Sequence, residues 1–124
     1  MGRIPLWLLV GIGGFIGTVA RWAIGHALPR TPLPLGVLAV NVAGSLLVGF
    51  LLFSPRPSPL SPEASAFLAA GVLGGFTTMS AFAYDTNLMA WGRDLPWAAA
   101  NVVLNVAGSL GAVAAGRGLA RLVW

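Results

Sequence analysis

Asn101, Asn105 and Ser109 recur at intervals of four residues near the C-terminus, so on an α-helix they fall along one side. Asn41 and Ser45 repeat that spacing earlier in the chain. Side-chain amides and hydroxyls with no Lys or Arg among them can replace part of an anion's hydration without trapping it, as conduction requires. Asn and Ser also bond one helix to another beside small residues, and spacing alone leaves both uses open. A second constellation is Gly71-Val72-Leu73-Gly74-Gly75-Phe76-Thr77-Thr78-Met79-Ser80-Ala81-Phe82. Adjacent Gly and Thr pairs make a poor helix centre. A break there would free backbone carbonyls, which lipid tolerates only where protein buries them or a cavity receives them. Freed carbonyls suit a small hard cation. The competing reading is an intact helix whose Thr hydroxyls bond back to the preceding turn.

Little else in the chain can do chemistry. Cysteine is absent, which removes disulfides, thiolate metal sites and cysteine nucleophiles. One histidine, His26, and three acids, Glu63, Asp85 and Asp94, leave few candidates for acid–base catalysis, so an enzyme is not expected. Every basic residue is an arginine, and the formal charge is +4. These arginines stand singly at the ends of apolar runs, where bilayer anchors belong, and nucleic-acid binding is not expected.

The elements that position these residues follow from composition. Of 124 residues, 57% are hydrophobic and 8% charged, against about a quarter charged in ordinary soluble domains. A helix needs about 20 mostly apolar residues to cross about 30 Å of hydrocarbon. Four runs meet that test, at about 4–27, 33–53, 64–91 and 95–118, and predict an all-α, polytopic membrane protein forming one transmembrane domain over 1–124. The first run is uncharged from Ile4 to Ala20, longer than the 7–15 residues of a typical signal-peptide core, and reads as a retained span. Between the runs, Leu28-Pro29-Arg30-Thr31-Pro32, Ser54-Pro55-Arg56-Pro57-Ser58-Pro59 and Gly92-Arg93-Asp94-Leu95-Pro96 stop helices. Such short connections make consecutive helices antiparallel neighbours and put both termini on one side.

Orientation in a membrane follows arginine asymmetry between loops. The side of the termini carries Arg3, Arg56, Arg117 and Arg121; the other carries Arg30 and Arg93, with Arg21 if it snorkels outward. So even a division allows insertion in both orientations, and two opposed copies would form an antiparallel homodimer. A single orientation set by the C-terminal arginine pair is the alternative. The chain also repeats itself: Asn41-Val42-Ala43-Gly44-Ser45-Leu46 recurs as Asn105-Val106-Ala107-Gly108-Ser109-Leu110, and Gly13-Gly14-Phe15 as Gly74-Gly75-Phe76. A duplication of two spans would leave the halves parallel. Ala107, Gly111 and Ala115, and likewise Gly108, Ala112 and Gly116, form rows of small residues that predict tight helix contact.

Through these motifs the sequence resembles the Fluc or CrcB family of fluoride channels. The resemblance runs along nearly the whole chain, through Gly13-Gly14-Phe15-Ile16-Gly17-Thr18-Val19-Ala20-Arg21-Trp22, Gly36-Val37-Leu38-Ala39-Val40-Asn41, Gly74 to Phe82, and Asn105-Val106-Ala107-Gly108-Ser109. It implies a dual-topology antiparallel homodimer in the cell (inner) membrane, surrounded by lipid. Two fluoride pores would flank a central Na+ that is structural and not transported. It implies that Gly74 and Thr77 give backbone carbonyls to sodium where the third-span breaks of both subunits meet. Asn41 and Ser80 would serve the anion path, Phe82 one of its aromatic positions, and Asn101, Asn105 and Ser109 a polar track on the fourth span. Arg21 matches the first-span arginine as a structural or vestibule residue, and Asp85 stands where the family usually has Glu. Met79 occupies a usual Phe position in the anion path, and Ala81 and Ala83 replace hydroxyl residues.

Fluoride is small and strongly hydrated, so a narrow pore must supply donors as water leaves, and ring edges such as that of Phe82 contribute because their rim is positive. The net result would be passive fluoride export that lowers its cytoplasmic level. A small dual-topology multidrug transporter has similar length and span number, but such transporters carry a membrane-embedded Glu in the first span, and no acid precedes Glu63 here. A non-transporting membrane assembly protein would explain the small-residue packing but not the ordered motifs.

Overall fold

The computed structural model describes residues 4–53 and 58–124. Arg3 and Arg56, two of the arginines that enter the orientation count, lie outside the described residues. Among the described residues the chain is helical and has no strand. Four segments are long and apolar enough to cross a membrane: Leu6–Ala27, Leu35–Leu52, Pro62–Trp91 and Leu95–Val123.

Prolines set the starts. α1 (Leu6–Ala27) follows Pro5 and α2 (Leu35–Leu52) follows Pro34, both with extended or near-extended backbone at the cap. The third segment opens with α3 (Pro62–Ser65), whose Ser61 hydroxyl accepts the Ala64 N–H at 3.1 Å with Pro62 in the first turn, a strong start signal. It continues as a π-helical stretch, Ala66–Leu73, and then as α4 (Gly74–Phe76). Two residues join α4 to α5 (Met79–Trp91): Thr77 at φ −84°, ψ 156° and Thr78 at φ −149°, ψ 115°, both extended. The Thr78 hydroxyl accepts the Ala81 N–H and so caps α5. α6 (Leu95–Val123) carries Pro96 in its first turn and runs past position 118 to Val123. Leu119 to Leu122 are good helix formers, Ala120 is fully buried, and Arg121 sits in the last turn, where a cation suits the helix dipole.

Close backbone approach holds the segments together. α1 lies on the π-helical stretch so tightly that a Cβ on Gly17 would overlap the Val72 carbonyl oxygen. α2 lies against α6 in the same way, and a Cβ on Gly116 would overlap the Leu46 carbonyl oxygen. The row Gly108, Ala112, Gly116 therefore does what its spacing predicts, with Ala112 and Gly116 buried. The second row does not: Ala107, Gly111 and Ala115 are exposed, and a Cβ on Gly111 would meet nothing within 4 Å. Two rows on one helix face different directions, and α2 can cover only one of them.

Candidate functional site: the joint of the third segment and its polar wall

An extended joint inside a helix leaves polar backbone groups that must find partners. Here the partner is a side chain on another helix. Asn41, on α2, accepts the Thr78 N–H through Oδ1 at 2.8 Å and donates from Nδ2 to the Thr78 carbonyl at 3.1 Å. One carboxamide thus stands in for a strand of backbone. Its second N–H goes to the Asn105 side-chain oxygen at 3.0 Å. Because the Thr78 N–H turns to Asn41, it is not given to the Gly74 carbonyl, its usual partner four residues back in an α-helix. Thr77 behaves differently: its N–H and its hydroxyl both go to the Leu73 carbonyl, each at 3.1 Å.

The chain of amides continues along α6. Asn105 Nδ2 donates to the Asn101 carbonyl at 3.1 Å and to Asn101 Oδ1 at 3.0 Å. Asn101 Nδ2 donates to the Thr86 hydroxyl at 2.9 Å, and that hydroxyl donates to the Phe82 carbonyl at 2.7 Å. α2, α5 and α6 are therefore tied by one continuous network. Asn101 is fully buried and Asn105 is 4% exposed. Much of the donor capacity expected to face an anion is spent inside the protein.

Beside this network lies an open-sided cavity of about 410 Å³. Asn41, Thr77, Met79, Phe82, Asn105 and Ser109 all contribute to its wall, together with Ser45 and Thr78. Ser109 is half-buried there, and among the described residues its hydroxyl makes no hydrogen bond. Met79 is 73% exposed, whereas Phe82 is buried. Asn101 stands behind this wall rather than in it. Ser80 is exposed, pairs with the Thr78 hydroxyl at 3.3 Å, and does not line the cavity. Gly74 is exposed, and a Cβ there would meet only the Ala69 carbonyl oxygen, at 3.8 Å.

A second cavity, of about 270 Å³, also reaches Thr78 and brings Arg21, His26 and Arg30 to one place, with Ala81 in its wall. His26 Nδ1 pairs with the Trp22 carbonyl at 2.8 Å, and the two rings sit 4.4 Å apart. Asp85 is buried on α5, and its Oδ2 has no hydrogen-bond partner among the described residues. Among the described residues no cluster of three or more His, Cys, Asp or Glu could hold a metal ion. A cation here would be held by neutral backbone or side-chain oxygens.

Sequence reasoning passed over Thr78 and Thr86. Thr78 is the residue common to both cavities and the one whose backbone Asn41 completes. The Thr-Thr pair signals the joint but not which threonine turns to Asn41. Thr86 had no signal, because its bond to Asn101 depends on how α5 and α6 pack.

The fold and site define a four-span helical membrane protein with a polar, donor-bearing wall inside the bundle. Comparison with known proteins makes the assignment specific. Residues 8–117 match the family described as CrcB-like protein, Camphor Resistance (CrcB). The chain is 39% identical over 118 residues to the fluoride-specific ion channel FluC of Methanocaldococcus jannaschii, covering 94% of this chain and 95% of that one. It is 35% identical over 128 residues to the FluC of Clostridium perfringens, covering 100% of both, and 40% identical over 118 residues to that of Chlorobaculum tepidum, covering 93% and 94%. The chain belongs to the CrcB-like family.

Proposed function

We propose that the protein is a fluoride-selective channel that lets fluoride leave the cell passively. The observation that carries this reading is the wall of the cavity beside the amide network: a Ser109 hydroxyl with no hydrogen bond among the described residues, beside Phe82 and the Thr78 joint, with an arginine-lined cavity that reaches the same threonine. Arg21 and Arg30 raise the local concentration of anions at one mouth. Neutral donors take over along the wall, where a fixed cation would hold fluoride too tightly to conduct. Asn41 and Asn105 shape this wall and keep the joint in place; Ser109 and the edge of Phe82 are left to meet the ion. Met79 presents a polarizable thioether where it is 73% exposed.

The working unit in this reading is an antiparallel homodimer in the cell membrane. The cavity beside the amide network is open on one side, and among the described residues no helix covers the exposed row Ala107, Gly111, Ala115; a second, inverted copy covers both. The joint at Thr77 and Thr78 divides the third span into two half-helices, and the joints of the two copies meet. A structural Na+ fits there. Gly74 is exposed, its carbonyl is released by the turn of Thr78 to Asn41, and neutral oxygens from Gly74 and Thr77 of two copies favour a monovalent over a divalent ion. Sodium would supply charge that draws the two joints together.

Purified protein in sealed liposomes tests the function. Fluoride is released while chloride stays inside; equal release of both, or of neither by well-folded protein, overturns the reading.

A further inference from the structure

The row that carries Asn101, Asn105 and Ser109 does not end at Ser109. Continued at the same four-residue interval along α6, it passes through Val113 to Arg117 and Arg121. The structure gives this row a continuous space to face. At the C-terminal end of α6 a third cavity, of about 460 Å³, has Phe53, Arg117 and Arg121 in its wall. It shares Leu110 and Val113 with the cavity beside the amide network, so the two adjoin along one side of α6. No acidic residue lines it. Arg117 and Arg121 are exposed, and among the described residues neither forms an ion pair. The Arg117 guanidinium lies 5.2 Å from the centroid of the Phe53 ring, a contact that orients a cation without neutralising it. Phe53 caps the C-terminus of α2, so the ring that holds Arg117 belongs to the helix that also carries Asn41.

We propose that Arg117 and Arg121 form the second mouth of the anion path, gathering fluoride from water at the end of α6 and passing it by Val113 to Ser109, as the counterpart of Arg21 and Arg30. The inference rests on the channel reading and adds to it the residues at which the path ends. Spacing suits the role. Arg117 stands eight residues beyond Ser109, about 12 Å along the helix axis, against a screening length of about 8 Å at physiological ionic strength. A guanidinium at that distance raises the local concentration of anions without touching an ion at Ser109, where a fixed charge would hold it. Val113 separates the two with a neutral turn. The helix dipole and the orientation of the chain in a membrane both favour positive charge at this end, but neither requires that it continue the row from Ser109 or that Arg117 be held on Phe53.

The test compares wild-type, R117Q/R121Q and R117K/R121K proteins in sealed liposomes, with fluoride release measured at low fluoride concentration. Each is measured in about 0.01 M and in about 1 M of a sodium salt of a bulky organic anion that does not pass; a charge is felt over about 30 Å in the first and about 3 Å in the second. In the proposed antiparallel dimer the two pores run in opposite senses, so at either face one of them is entered past Arg117 and the other past Arg21. R117Q/R121Q therefore slows entry into one pore of the two, and its release falls to about half that of wild type at low ionic strength. At high ionic strength, where the arginines are screened, the two proteins release fluoride equally. R117K/R121K keeps both charges and matches wild type under both conditions. Release by R117Q/R121Q as fast as wild type at low ionic strength, a loss that persists at high ionic strength, or an equal loss in R117K/R121K each overturns the second mouth while the channel reading stands. Wild-type protein that releases no fluoride overturns both.

Discussion

The side chains of Asn41 and Asn105 meet at 3.0 Å, and they are the first residues of the two identical six-residue segments in α2 and α6. The repeat is thus a contact between its own two copies. At that contact the two asparagines divide the work: Asn41 completes the backbone of Thr78, and Asn105 carries the network on to Asn101.

Asn41→Ala removes both partners of the Thr78 backbone at once. A buried donor and a buried acceptor left unpaired destabilise by about 1–3 kcal/mol each, so the variant unfolds at a clearly lower temperature in detergent and passes little fluoride. An Asn41→Ala protein as stable as wild type would refute the role assigned to this side chain.

Ser109 and Asn101 separate the pathway from its frame. Ser109→Ala removes an unbonded hydroxyl from the cavity wall and slows fluoride release about tenfold, the loss of one hydrogen bond to a charged species, with the unfolding temperature unchanged. Asn101→Ala acts on a fully buried group bonded to Thr86 and Asn105, and lowers stability by about 1–3 kcal/mol. If Ser109→Ala conducts normally, the polar wall is not the path.

Gly74 and Gly75 are adjacent, yet their substitutions have opposite readouts. A Cβ on Gly75 would lie 2.5 Å from the Gly14 carbonyl oxygen, so Gly75→Ala disturbs the packing of α1 in each chain. Gly74 has room within the chain, so Gly74→Val leaves the single chain folded and weakens only what is proposed to form across its exposed side, a dimer holding sodium. Thr77→Ser keeps the backbone oxygen and is mild. Removal of sodium from wild type shifts cross-linked dimer toward monomer; dimers and fluoride release indifferent to sodium and to Gly74→Val would dismiss the sodium site.

Dual topology is read with tags at either terminus. In native membranes a fraction of each tag is reachable from each face, and tags reachable from one face alone would exclude the antiparallel arrangement.

The four spans were legible because the charged residues and prolines partition the chain without help from tertiary structure. Asn41 and Asn105 were legible as residues with a reason to be polar, but their partners were not: a bond from Asn41 to Thr78 joins positions 37 apart and exists only once α2 crosses the joint. For the same reason spacing left open whether Asn101 and Asn105 bond between helices or face an ion, and packing shows both of them hydrogen-bonded within the protein. The π-helical stretch Ala66–Leu73 left no trace in a run of Ala, Phe, Leu, Gly and Val, since one glycine does not distinguish a wider turn from an ordinary one; that stretch packs on the glycine face of α1. The last turns of α6 lay beyond the apolar run that marked the span, because Arg117 and Arg121 interrupt hydropathy without interrupting a helix.

α2 and α6 lie side by side, but one has 18 residues and the other 29, lengths of about 27 Å and about 43 Å along their axes. A membrane cannot match both. Lipid beside α2 must thin while α6 tilts or projects, and each ångström of disagreement carries a small elastic cost. The protein is consequently a local deformation in any bilayer it enters, lowest in energy where the bilayer is already thin, and its distribution among membrane regions of different thickness follows from the unequal length of two helices that share one interface.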